Sequence, residues 1–325
     1  MTIDHFFQAA KIEGFQSPYD TIHLKIFYPA RMPSQVEINR EILPVDLEKA
    51  PFPVVIFFNG FNCDAQQYQW LAVKLAEHGL VVILFNWIAE VMPGIISLTP
   101  GIDVEKRKPT IYRTVPTASA LPALLAKVEQ LQSEGILAGM LDLQRIILGG
   151  HSAGGRVAIE NADPDFFPQI AASFGYGLHT MATLSLGYEA DTILPLPDSL
   201  PLLLMGGTCD GIIANSCDRY GISPGNATTP VIRTFQEAIT GGRNDSYLLL
   251  LEGANHFSIN QPDSTLKTPL LDFPATQPQE SFRLLMGEII NLFIDTHVRH
   301  QPEASQSLEQ LLNTPNPLIK SFERK

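Results

Sequence analysis

The sequence predicts an α/β protein with a mostly parallel central sheet and helices on both faces. Three observations carry that prediction. The runs P-V-V-I-F-F (53–58) and L-V-V-I-L-F (80–85) are strand-forming but do not alternate, as expected of strands covered on both faces. The stretch between them has helical periodicity, giving the strand–helix–strand spacing of a right-handed parallel crossover. Further apolar runs, each ending in a glycine-rich turn, recur along the chain.

In order, T-I-H-L-K-I-F-Y (21–28) alternates and stops at Pro29, as a half-exposed strand does. The mixed stretch to Pro51 is expected as edge loop or a further short strand. After 53–58 a helix is expected from about Gln66 to His78, with Leu71 and Leu75 on its apolar stripe and Gly79 as its stop. A long connection rich in Pro and Gly follows 80–85 and spans 86–116; such a loop often covers a site. Its D-V-E-K-R-K-P patch reads as solvated surface. Residues 117–134 have helical periodicity before Gly135. R-I-I-L (145–148) is a short buried strand, with a helix expected from Ala153 to about Asn161. I-A-A-S-F-G-Y (170–176), P-L-L-L-M-G (201–206) and Y-L-L-L-L-E (247–252) continue the sheet. Helices are expected at 230–240, 279–297 and 307–312. The chain thus reads as one domain over 1–300, with long loops at 86–116 and 211–229, and a polar tail at 301–325.

A chain of 325 residues suits one large core. A formal charge of −12 argues against a nucleic-acid or anionic-membrane surface. The start, M-T-I-D-H-F-F-Q-A-A-K, lacks a basic region followed by an apolar run, so no signal peptide is expected. No apolar stretch approaches the length of a spanning helix. Cys63, Cys209 and Cys217 have neither zinc spacing nor that of a disulfide framework. A Cys209–Cys217 bridge would cross only a short loop, but reduced thiols in a cytoplasmic protein are the expectation. No cofactor or metal is expected.

The chemistry lies at the strand ends. I-I-L-G-G-H-S-A-G-G (146–155) sets G-x-S-x-G between a strand and a helix. Glycines there permit a sharp turn with Ser152 at its tip. The amide of Ala153, in the first helical turn, lacks an internal acceptor and can stabilise an oxyanion. G-G-T-C-D-G-I (206–212) places Asp210 just beyond one strand, and G-A-N-H-F-S (253–258) places His256 beyond another. Asp210 would orient His256, which would take the proton of Ser152. His151 should turn away from the serine and serve structurally. His179, Asp191 and Asp218 are rivals that rank behind. The loop after 53–58, N-G-F-N-C-D, should supply a second oxyanion donor from the amide of Phe61, with Asn62 next.

These motifs, G-H-S-A-G-G, G-G-T-C-D-G-I and G-A-N-H-F in register with N-G-F, resemble the α/β-hydrolase superfamily over roughly residues 20–300. Within it the chain is similar to dienelactone-hydrolase-like esterases, bacterial polyester hydrolases, platelet-activating-factor acetylhydrolases and chlorophyllases. D-G-I-I-A (210–214) and G-A-N-H-F (253–257) are similar to polyester-hydrolase elements, and 150–155 to the chlorophyllase elbow. Asn59-Gly60 stands where many relatives have His-Gly, and the segments 86–116 and 211–229 have no match in compact polyester hydrolases. Phe61, Asn62, Trp87, Met92, Phe174, Tyr176 and His179 are candidate pocket residues, the apolar ones equally candidates for core. Few basic residues flank the three motifs, which speaks against a small carboxylate-bearing substrate.

The resemblance implies a serine-dependent carboxylic-ester hydrolase acting on a hydrophobic ester. Chlorophyllase-like cleavage of a phytyl ester is one expectation, and a lipase or phospholipid-acetylhydrolase-like esterase another. A noncatalytic binding protein on the same scaffold is the alternative from another class; intact Ser152, Asp210 and His256 speak against it. The expected partner is a small hydrophobic ester, without nucleic acid or a transmembrane segment, and with room for peripheral membrane contact.

Overall fold

The computed structural model describes residues 2–32, 42–92, 94–223, 225–261 and 272–325, with only the backbone of Met92. Residues 33–41 of the expected edge segment, and Pro93 and Pro224 of the two long loops, lie outside the described residues.

Apolar runs that read as doubly covered strands become the centre of the sheet. Every residue of β3 (Phe52–Phe58), β8 (Leu202–Gly207) and β9 (Ser246–Leu251) is buried. With β4 (Val81–Met92), β6 (Leu141–His151) and β7 (Ile170–Tyr176) they form a parallel array in the order β4-β3-β6-β7-β8-β9. Antiparallel strands border it: β1 (Thr2–Lys11) and β2 (Thr21–Ala30) on the β4 side, β10 (Ile319–Arg324) on the β9 side. This is an arrangement of the α/β-hydrolase type.

Helices cover both faces. On one lie α1 (Gln69–Glu77) and α6 (Gln279–His297), whose Phe282, Leu285, Met286, Ile289, Ile290, Phe293 and Ile294 form the stripe facing Leu203, Met205, Leu249 and Leu251. On the other lie α2 (Leu121–Ser133), α3 (Ser152–Glu160) and α5 (Thr229–Ala238). Each fully buried large aliphatic or aromatic side chain stabilises the fold by roughly 1.5–3 kcal/mol. A short helix, α4 (Gly211–Ala214), follows β8. No helix among the described residues is long and apolar enough to cross a membrane.

Two segments differ from their sequence expectation. β4 runs on past Phe85 to Met92 and folds back as β5 (Ile95–Leu98), pairing Ile88 with Leu98. The alternation of buried Trp87 and Ala89 with exposed Ile88 and Glu90 is a strand pattern, masked in the sequence by polar Asn86 and the following turn residues. Beyond residue 300 the chain forms α7 (Pro302–Asn313), with Leu308 and Leu312 in the α6-side core, and then edge strand β10. Its polar composition reflects one-sided burial.

One close approach fixes the middle of the sheet. Gly149 in β6 faces the ring of Phe174 in β7, and a Cβ at 149 would lie 2.3 Å from Phe174 Cζ. Only glycine leaves that space for the ring.

Candidate active site

β6 delivers His151 as its last residue, and α3 starts at Ser152. Ser152 has φ +54°, a left-handed conformation that costs a non-glycine residue roughly 1–3 kcal/mol. The neighbourhood enforces it. A Cβ at Gly154 would stand 2.2 Å from the Asn59 carbonyl oxygen and 2.3 Å from that of Phe58, so α3 can lie this close to the end of β3 only with glycine there.

His256 arrives in the turn after β9 and Asp210 in the turn after β8. The Ser152 hydroxyl is 2.9 Å from His256 Nε2, and His256 Nδ1 is 2.8 Å from Asp210 Oδ2. A carboxylate can only accept at Nδ1, so the ring proton sits there and Nε2 is left to accept from Ser152. Asp210 is fully buried and His256 is 3% exposed, while Ser152 is partly open. The three form a triad of the Ser-His-Asp type, the geometry of serine-hydrolase chemistry. No family model matches the sequence, and no curated protein matches it either. The chemistry of the site therefore rests on its own geometry.

Both carboxylate oxygens of Asp210 are bonded, Oδ2 to His256 and Oδ1 to the backbone. Its Oδ1 accepts the Ile213 amide at 2.9 Å, capping α4. Asp272 lies beside it, accepting the Gly211 amide at 2.8 Å and the His256 amide at 3.4 Å. Burial, and next the charge of Asp210, push the Asp272 carboxyl above the usual range, opposed by these amide bonds. Asp272 was invisible to motif reasoning, because no local pattern marks it.

The loop after β3 is pinned by a different set of bonds. Asn59 Nδ2 donates to the Phe85 carbonyl at 2.7 Å and the Cys63 carbonyl at 3.2 Å. The Asn59 side chain is thus tied to the backbone of neighbouring β4. The Asn62 amide donates to Leu98 at 2.9 Å, whereas the Phe61 amide meets no acceptor among the described residues. The Gly60 amide donates to the Tyr68 hydroxyl at 3.1 Å, and that hydroxyl donates to His151 Nδ1 at 2.8 Å. His151 Nε2 in turn donates to the His256 carbonyl at 2.9 Å. His151 is completely buried, and burial, then the nearby His256, hold its pKa well below that of a free imidazole. It is a neutral strut between the β3 loop and the loop of the base.

The other candidates are scattered. Trp87 is 2% exposed, donates to the Tyr19 carbonyl at 2.8 Å and meets Phe15 edge-on. Phe174 and Tyr176 are fully buried in β7; the Tyr176 hydroxyl donates to the Asn255 carbonyl, bracing the His256 turn. Phe61 is 48% exposed. The side chain of Met92 lies outside the described residues. His179 does not bond Ser152; its Nδ1 accepts the Met181 amide at 3.2 Å. Burial, then the charges of Arg156 and His256, lower the His179 pKa to about 3. Asp191 pairs with Arg233 at the surface. All three cysteines are free.

Proposed function

We propose that the protein is a serine-dependent carboxylic-ester hydrolase. The observation that carries this reading is the unbroken bond sequence Ser152–His256–Asp210 at a strained strand-to-helix turn. Ser152 Oγ attacks the ester carbonyl as His256 Nε2 takes its proton. The amides of Phe61 and Ala153 stabilise the tetrahedral oxyanion. Collapse expels the alcohol, which receives the proton from His256 and leaves an acyl-serine. A water molecule, deprotonated by His256, then attacks the acyl carbon, and the acid departs as Ser152 regains its proton.

A hydrophobic ester is favoured by the apolar surface next to the β3 loop. Ser97 Oγ bonds Asn62 Oδ1 at 3.1 Å, bringing β5 alongside that loop, and Phe61, Ile88, Ile95 and Ile96 are all exposed. The same patch supports peripheral contact with a lipid surface. The free thiols support a reducing compartment, which we take to be the cytoplasm. Chlorophyll and short phospholipid or aryl esters are the substrates to compare.

The test is covalent labelling. A fluorophosphonate should modify the protein at Ser152, and Ser152→Ala should abolish it; labelling that survives the substitution would refute the assignment of the nucleophile. Absence of chlorophyll turnover beside active aryl-ester turnover would exclude the chlorophyllase-like substrate.

A further inference from the structure

One turn beyond Ser152 on α3, Arg156 meets Glu160 and Arg107. Arg156 Nε donates to Glu160 Oε1 at 2.7 Å, and Arg107 Nε to Oε2 at 2.8 Å. The Thr117 hydroxyl adds a third bond to Glu160 at 3.1 Å. Burial pushes the Glu160 carboxyl up, but the two arginines outweigh it and hold it below the usual carboxylate range. Burial, then the like charge of Arg156, lower Arg107 to about 10, so it stays protonated at neutral pH.

A single arginine would neutralise Glu160. The second leaves a positive charge over in a largely desolvated place, which is costly without an anion nearby. Arg156 Nη1 donates to the Met181 carbonyl at 2.8 Å, and Arg107 Nη2 lies 2.8 Å from Glu160. Arg156 Nη2 and Arg107 Nη1 bond no acceptor among the described residues. Both arginines line a cavity of about 490 Å³, with Arg219 and Asp218 also on its wall and Leu184, Leu186 and Leu194 as apolar lining. Three arginines and one acidic residue, Asp218, line the cavity, and counting Glu160 behind Arg107 and Arg156 leaves an excess of one positive charge in a protein of net charge −12.

We propose that this cavity is a subsite for a carboxylate or phosphate group carried by the ester substrate, bound by Arg107 and Arg156 with Arg219 on the cavity wall. The proposal rests on the ester-hydrolase reading above and adds a substrate class to it: an ester with both an apolar part and an anionic group. Helix α3 joins the two places: it begins at Ser152 and carries Arg156, on the cavity wall, one turn later. Arg107 belongs to the D-V-E-K-R-K-P patch that reads as solvated surface, yet it is buried against Glu160, a residue 53 positions away that no local pattern pairs with it. Guanidinium forks suit planar oxyanions, and each charge-assisted bond adds more than a neutral one.

The experiment compares matched esters that differ only in a terminal group. On the acyl side the pair is p-nitrophenyl butyrate and mono-p-nitrophenyl glutarate. On the alcohol side the pair is the butyrate esters of 4-ethylphenol and 4-hydroxyphenylacetate. At least one carboxylate-bearing ester should be favoured by about 10-fold or more in kcat/KM. That ratio should shrink toward one in Arg107→Gln and in Arg219→Gln, the latter leaving the buried Glu160 pair untouched. In parallel, glutarate and inorganic phosphate are titrated calorimetrically into Ser152→Ala, where binding should weaken with either arginine replaced. Ratios near one in both series, or ratios that persist in both arginine variants, overturn the subsite. Binding of the free anions with no ester discrimination overturns it too, since it reports an effector site. Arginine-dependent glutarate binding in a protein that no fluorophosphonate labels supports the anion site and refutes the hydrolase reading instead.

Discussion

Tyr68 and His151, 83 residues apart, share a 2.8 Å hydrogen bond that, with the bonds from the Gly60 amide and to the His256 carbonyl, joins the loop after β3 to the loop carrying His256. Tyr68→Phe removes the donor to His151 and the acceptor of the Gly60 amide together. Leaving such buried groups unpaired costs roughly 1–3 kcal/mol. We expect urea denaturation to show that loss, with kcat falling more than KM rises, because the loop after β3 and His256 are displaced relative to each other.

Asp210→Asn should leave the fold nearly unchanged, since the side-chain oxygen can still accept the Ile213 amide. It removes the charge and the acceptor geometry that keep the proton on His256 Nδ1, and kcat should fall by about 10⁴-fold. Ser152→Ala should cost ~10³-fold or more. Steady-state hydrolysis of p-nitrophenyl butyrate, with circular dichroism as the folding control, checks both.

Asp272→Ala should lower kcat by about 10-fold, the equivalent of roughly 1.4 kcal/mol in the barrier. The Gly211 and His256 amides lose their acceptor, so the acid and base turns loosen. Fluorophosphonate labelling of Ser152 should persist at a reduced rate; an unchanged labelling rate and kcat would show that Asp272 positions nothing.

Acid should begin to destabilise the protein below about pH 6.5, through its buried histidines. His179 has its pKa lowered to about 3, and His297, through burial, to about 4, against 6.5 for a free ring. A folded-state pKa below the unfolded one means that the unfolded chain binds more protons in between. The stability due to these neutral rings is therefore complete above about pH 6.5 and is lost progressively as pH falls toward 4 and then 3. Urea midpoints measured from pH 7 to 4.5 should fall, and His297→Gln should flatten the slope.

Gly154→Ala tests the elbow. Its methyl would collide with two backbone carbonyl oxygens, which no side-chain rotation relieves. A loss of about 1–3 kcal/mol is expected from such overpacking, visible as a lower melting temperature, together with weaker labelling of Ser152.

Most of the sheet was legible because its strands are continuous apolar runs: β7 was expected at 170–176 and lies at Ile170–Tyr176. The helix at 279–297 was equally clear, since its buried residues recur at helical spacing. Ser152, Asp210 and His256 could be picked out because each follows a strand end. What joins them could not. Asp272, Tyr68 and the Arg107–Glu160 pair act across tens of residues, and no local period encodes such contacts. Aromatic residues misled for a related reason: Phe174 and Tyr176 read alike as pocket wall or core, and only their burial in β7 separates the two.

The packing of Gly149 against Phe174 has a historical consequence. A methyl at 149 needs the volume that the ring now occupies, so Gly149→Ala is open to the protein only after Phe174 has become smaller. The shrinkage alone leaves a void costing roughly 3–5 kcal/mol if it goes as far as alanine, so neither first step is easy. The pair therefore behaves as a ratchet, and descendants of this chain should keep both residues or exchange both.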